Sequence, residues 1–363
     1  MVDARRVCVV PGLTAVMLAC VAGVLGAQEP PGQPVAEPRG WSVEPRASAD
    51  LWFHGLALIG YREGGGPFSL YDAEYVQRVR EAKRQMGVYP TPLDTAAEEL
   101  LEEMRSESRV QLFHFVPLYF ARAGPQEMLA ALSAVADNRA RDSSIAGLDV
   151  RFGALAVARA LSRGSERRIL ERYVELLQAE WDQFYGRYWD VFWRERVAML
   201  QDARRLWQRD FETPLEPYLR RMNLEHGMII PTPTLGFEGR IDEGDMYDPR
   251  DNTVAVRVPA VEREPLPILY GAVRELCFPL MDLALRIEPD DVQEVERLRS
   301  IGAVRCGALL LEFYAPAFVR GYWRWFLGLS GGDPAVVTAA AFRAAYPLSE
   351  AHVRDLRLAL RQP

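Results

Sequence analysis

Histidine is scarce in this chain. There are four in 363 residues, and none of His54, His114, His226 or His352 sits in a spaced pair that could grip a metal ion. Each reads as a surface residue or a satisfied core residue rather than a catalyst. Cysteine is equally sparse. Cys8 and Cys20 fall in the N-terminal apolar segment, which leaves Cys277 and Cys306 and at most one bridge between them. Two familiar sequence signatures are missing. The chain has no Walker A loop and no G-x-G-x-x-G following a strand. Gly64-Gly65-Gly66 runs into Pro67 and reads as a loop. Blocks of like charge are also missing. The formal net charge is −7 and the basic residues are spread along helical stretches, which excludes nucleic acid as a partner. No internal repeat is visible.

What is present begins with an export signal. Arg5 and Arg6 precede an uncharged, mostly apolar run from Val7 to Ala27, closed by the small residues Gly26 and Ala27. Residues 1–27 are therefore expected to be removed on export to a periplasmic or extracellular location. The chain would meet a membrane only if this segment stays uncleaved, or is lipidated at Cys20. Residues 28–48 are rich in proline and poor in large apolar groups, and they read as a flexible leader. A single domain is expected over 49–363, with a helical front half (49–224), strands and a central helix pair (225–329) and C-terminal helices (330–363).

Punctuation and periodicity place the elements. LWFHGLALIGY, from Leu51, is a buried helix or strand. Asp72 caps a helix carrying Tyr75, Val76, Val79 and Met86, stopped at Gly87 and Pro90. Another helix starts near Asp94 and uses Leu100, Leu101 and Met104. Val110–Phe120 reads as a strand or a buried helix, with Pro117 against a central strand. Helices follow from Pro125 to Ala136 and from Phe152 to Arg163, the latter ending at Gly164.

Ser165 opens a long helical stretch to Phe211, with a break at Gly186. Its aromatics recur at core spacing, and its acids Glu171, Glu175, Glu180 and Asp182 read as a solvated face. GMIIPTPTLGF and Asn252–Pro259 read as two strands, and the acidic Asp242–Asn252 stretch between them as a solvated turn. Helices are then expected at Ile268–Arg286, Asp291–Leu329, Pro334–Ala345 and Ser349–Leu360. The fold class is mainly α with a small β-sheet.

The stretch PILYGAVRELCFPLMDLALR, Pro267 to Arg286, carries the strongest chemical signal. On a helix, residues four apart share a face. Arg274, Glu275 and Phe278 hold the three defined positions of H-E-x-x-H, and Glu312 follows in the apolar helix GALLLEFYAPAFVRGYW. In order and spacing this resembles the glutamate-type zincins, and in particular the bacterial families of exported, predicted zinc peptidases. The resemblance covers roughly Met228 to Tyr322.

It implies a zincin-like helix pair preceded by short strands. Arg274 stands at the first ligand position, Glu275 at the general base, Phe278 at the second ligand and Glu312 at the third. Both histidines are missing, and neither arginine nor phenylalanine ligates zinc, so no metal, no cofactor and no hydrolysis by that family's mechanism are expected. Without an ion, Arg274 is expected to supply the positive charge that Glu312 would need. Cys277 and Cys306 lie on the two helices of the pair, where they can form a disulfide or remain buried thiols. The expected function is non-catalytic binding of a peptide or protein, or a scaffold role. The alternatives are an active hydrolase using Glu275 in a non-standard site, and a helical protein unrelated to peptidases.

Overall fold

Caps and prolines decide where the helices begin and end. The computed structural model describes residues 40–60, 69–107, 110–141, 145, 147–161, 163–243, 252–259, 264–284, 292–333 and 335–361. The expected export segment, residues 28–39 of the expected leader and most of the acidic 242–252 stretch lie outside these residues.

Strand β1 (Trp41–Val43) is followed by α1 (Ala47–Leu58), α2 (Ala73–Gln85) and α3 (Pro92–Ser106). As expected, the Asp72 side chain accepts the backbone N–H of Glu74 at the start of α2. Helix α3 starts slightly earlier than Asp94. Thr91 is its cap, and Asp94 closes the capping box from inside. Val110–Phe120 is neither a strand nor a continuous helix but two 3₁₀ turns, Val110–His114 and Val116–Phe120. Its carbonyls serve side chains elsewhere, as where Trp52 Nε1 donates to Phe113 O at 2.7 Å.

Then come α4 (Pro125–Ala136), α5 (Leu148–Ala160) and α6 (Gly164–Glu180), so Gly164 opens a helix instead of closing one. The long stretch beyond is interrupted twice by π-helical turns, Trp181–Tyr185 and Trp207–Glu212. The first leads from α6 into α7 (Gly186–Arg194) and the second from α8 (Val197–Leu206) into α9 (Thr213–Arg221), while a turn at Glu195 and Arg196 parts α7 from α8.

The sheet is β1, β2 (Gly227–Thr232), β4 (Asn252–Arg257) and β3 (Arg240–Asp242), in that spatial order. β1, β2 and β4 run parallel, and β3 closes one edge antiparallel to β4, with Ile241 opposite Val254. Side chains alternate across the sheet, so each face serves a different core. Met228, Ile230 and Ala255 join the core of the front helices, whereas Ile229, Val254 and Val256 join that of the rear helices. This double burial explains why β2 and β4 read as nearly continuous apolar runs.

β1 corrects the leader boundary. Trp41 lies inside the 28–48 stretch read as flexible, yet it is buried, donates Nε1–H to Leu224 O at 2.7 Å and pairs opposite Gly227. One large indole finding a partner outweighs the local excess of proline.

The rear layer contains α10 (Leu266–Glu275), α11 (Phe278–Ala284), α12 (Val292–Tyr314), α13 (Val319–Leu329), α14 (Ala339–Ala345) and α15 (Glu350–Arg361). Two expected long helices are therefore broken. Pro279 cannot donate to the preceding turn, and the chain restarts after Leu276–Cys277 with that proline in the first turn of α11. Pro316 does the same between α12 and α13, in a 3₁₀ turn.

A candidate cleft at the sheet edge

Helix α10 packs on β4 through Gly271, whose Cα lies close enough to Val256 that an added Cβ would stand 3.2 Å from the valine Cβ. The last residues of α10 are thereby brought to the entrance of β3. Gly239, just before β3, donates its N–H to Glu275 Oε1 at 2.9 Å. A Cβ on Gly239 would lie 2.7 Å from Glu275 Cγ, so only glycine allows this approach.

Arg274 is 1% exposed and Glu275 2%. The Arg274 guanidinium pairs with Glu275, donates to Ser300 Oγ at 2.8 Å and stands 3.7 Å from Glu238 Oε1. Ser300 in turn donates to Glu238 at 2.8 Å. The guanidinium also lies over the rings of Phe278, at 4.8 Å, and Phe237, at 5.8 Å. Burial raises the Glu275 carboxyl above its usual range, although Arg274 and the Gly239 N–H act against it. The crevice beside it, lined by Gly236, Phe237, Gly239, Val256 and Arg257, has a volume of about 10 Å³. That is room for about one water molecule and not for a substrate side chain.

Of the four motif positions, Arg274, Glu275 and Phe278 come together and Glu312 does not. Glu312 is exposed and lines a separate groove with Arg305 and Arg343. The expected Arg274–Glu312 pair is thus replaced by Arg274 with Glu275 and Glu238. The reason is geometric: Glu238 arrives from the loop before β3, which sequence spacing could not align with α10. On α12 the residue that reaches Arg274 is Ser300, three turns before Glu312. A zinc ion does not fit this donor set, because a guanidinium occupies the space between the carboxylates. Among the described residues no group of three or more His, Cys, Asp or Glu stands ready to hold a metal.

Cys277 and Cys306 are free, fully buried thiols rather than a disulfide. They are neighbours. Burial first, then the hydrogen-bonded Cys306 thiol, pushes Cys277 well above its usual range, so it stays protonated and is no nucleophile.

Sequence reading missed a second buried cluster. Glu180, taken for part of a solvated face, is fully buried, while Glu171, Glu175 and Asp182 are exposed as expected. Glu180 accepts from Lys83 Nζ at 2.8 Å, from Thr91 Oγ1 at 2.6 Å and from His54 Nε2 at 2.9 Å. Burial lowers the pKa of His54, which is neutral and accepts the Tyr75 hydroxyl at Nδ1, 2.8 Å away. Lys83 also holds Asp94 at 2.7 Å. The signal was in the spacing: Tyr75, Val79 and Lys83 share one stripe, and Tyr173, Leu177, Glu180 and Phe184 another.

No helix of the described residues is long and apolar enough to cross a membrane. No protein-family model, no curated protein and no solved structure matches the chain.

Proposed function

We propose that this is an exported, non-catalytic binding protein that takes an extended peptide segment along β3, in a cleft resembling a zincin site that has lost its ion. The observation that carries this reading is the Arg274 guanidinium between Glu275 and Glu238, directly behind an antiparallel edge strand. A peptide can add to a sheet edge as a further strand through backbone hydrogen bonds. The adjoining crevice has room only for water, so recognition would come from the strand edge rather than from a deep pocket. The order of strand, edge strand and glutamate-bearing helix supports the resemblance. The position of Glu312 removes the family's third ligand from it.

The test combines a metal assay with peptide binding. The purified protein should carry no stoichiometric zinc, should leave an unfolded protein substrate uncut, and should bind members of an extended-peptide library saturably. Methylating alternate backbone nitrogens of a bound peptide should weaken it about tenfold or more, roughly the loss of one or two strand hydrogen bonds. Equal binding of the methylated peptide would overturn the strand-addition reading. Zinc and cleavage that are both lost in Glu275→Ala would instead make the protein an active hydrolase.

A further inference from the structure

Away from the cleft, the rear helices form a groove of about 470 Å³, within the roughly 300–1,000 Å³ typical of small-molecule sites. Four arginines line it: Arg305 from α12, Arg343 from α14, and Arg354 and Arg357 from α15. Two carboxylates, Glu312 and Glu350, line it as well, so positive charge prevails locally in a chain whose formal net charge is −7.

Arg305 is 7% exposed, and its guanidinium donates to the Tyr346 carbonyl at 2.9 Å. Among the described residues, none of the four arginines makes an ion pair, and Glu312 shares the groove without closing on any of them. Burial first, then the charges of Arg343 and Arg357, pulls the Arg305 guanidinium below its usual range, with Glu312 acting against them. A largely buried guanidinium beside two like charges, with a carboxylate near but not in contact, gains from an anion that joins it.

The remaining wall is apolar and aromatic. Trp323 stacks on Phe342 with ring centroids 6.0 Å apart, and Leu348 lines the groove beside them.

We propose that this groove binds a small anionic amphiphile. Its carboxylate or phosphate head is held by Arg305, Arg343 and Arg357, and its apolar body lies on Trp323 and Phe342. The planar fork of each guanidinium suits either head group, and the groove volume limits the body to the size of a medium-length chain or a ring system.

Calorimetric titration of the full-length protein with sub-micellar decanoate, decyl phosphate and decanol tests this. Decanoate or decyl phosphate should bind at a single site, the tighter of the two identifying the head group, and decanol about tenfold more weakly or not at all. Arg343→Gln with Arg357→Gln, both at exposed positions, should weaken the anions about tenfold or more and leave decanol unchanged. Equal binding of decanol, an unaffected double variant, or inorganic phosphate binding as tightly as decyl phosphate would each overturn the site. Recruitment to anionic phospholipid vesicles with no binding of the soluble amphiphiles would also overturn it, by moving the chemistry to a membrane surface.

Discussion

Lys83 and Arg274 are both buried cations held between carboxylates, one in the front helices and one behind the sheet edge, but their surroundings are satisfied to different degrees. Around Lys83, Glu180 accepts hydrogen bonds from a lysine, a threonine and a histidine. Burial alone would raise its carboxyl, yet the His54 and Lys83 partners outweigh this and hold it down to about 2. Around Arg274, Glu275 has that guanidinium and one backbone N–H, and its carboxyl still stands above the usual range. In the first cluster the Glu180 carboxylate is well supplied with donors, and the cluster pins helices together. The second is under-compensated and adjoins a water-sized crevice beside the edge strand β3.

The largest expected effect breaks the Lys83 side. Lys83→Met leaves Asp94 and Glu180 facing each other in the interior, and should cost about 3–5 kcal/mol of unfolding free energy in urea titrations at pH 7. A loss below about 1 kcal/mol would mean that the cluster does not hold the front helices as argued.

The pH dependence of the two carboxylates comes next, because their signs are opposite. The Glu180 pKa is depressed on folding, so its contribution is complete above the unfolded value of 4.5 and is lost as pH falls toward about 2. That limb is worth on the order of 3 kcal/mol and should flatten in Glu180→Gln. The Glu275 pKa is raised on folding, so the stability it contributes is present below 4.5 and lost as pH rises through its folded value. Glu275→Gln should flatten that limb instead. Denaturant titrations across pH 3 to 8 read both, and like-signed slopes would remove the contrast.

Arg274→Met is the smallest of the three effects. Glu275 can take up a proton once its cation is gone, so the cost should be about 1–3 kcal/mol at pH 7 and shrink toward pH 5. A cost that does not change with pH would show that Glu275 stays charged without Arg274.

Much of this was legible before any coordinates. The Asp72 cap, the α4 boundaries, the β-branched runs of β2 and β4 and the adjacency of Arg274, Glu275 and Phe278 all follow from local periodicity. Pro279 and Pro316 stood in the sequence as breaks, and apolar periodicity on both sides of each concealed them. Trp41 was hidden by its proline-rich neighbours. Glu180 and Lys83 could have been recognised on buried stripes, but not as partners, since 97 positions separate residues 83 and 180.

The amino-acid order therefore determined what is decided within a few turns of chain: the mainly helical class, the helix caps, and a glutamate beside an arginine at the end of α10. Which carboxylate meets which cation was decided only by packing. Glu238 reaches Arg274 because the loop before β3 delivers it there, and Glu312 turns instead toward a groove with four arginines. The physical reason is range, because periodicity reports the face a residue occupies and only the folded layers report what that face meets.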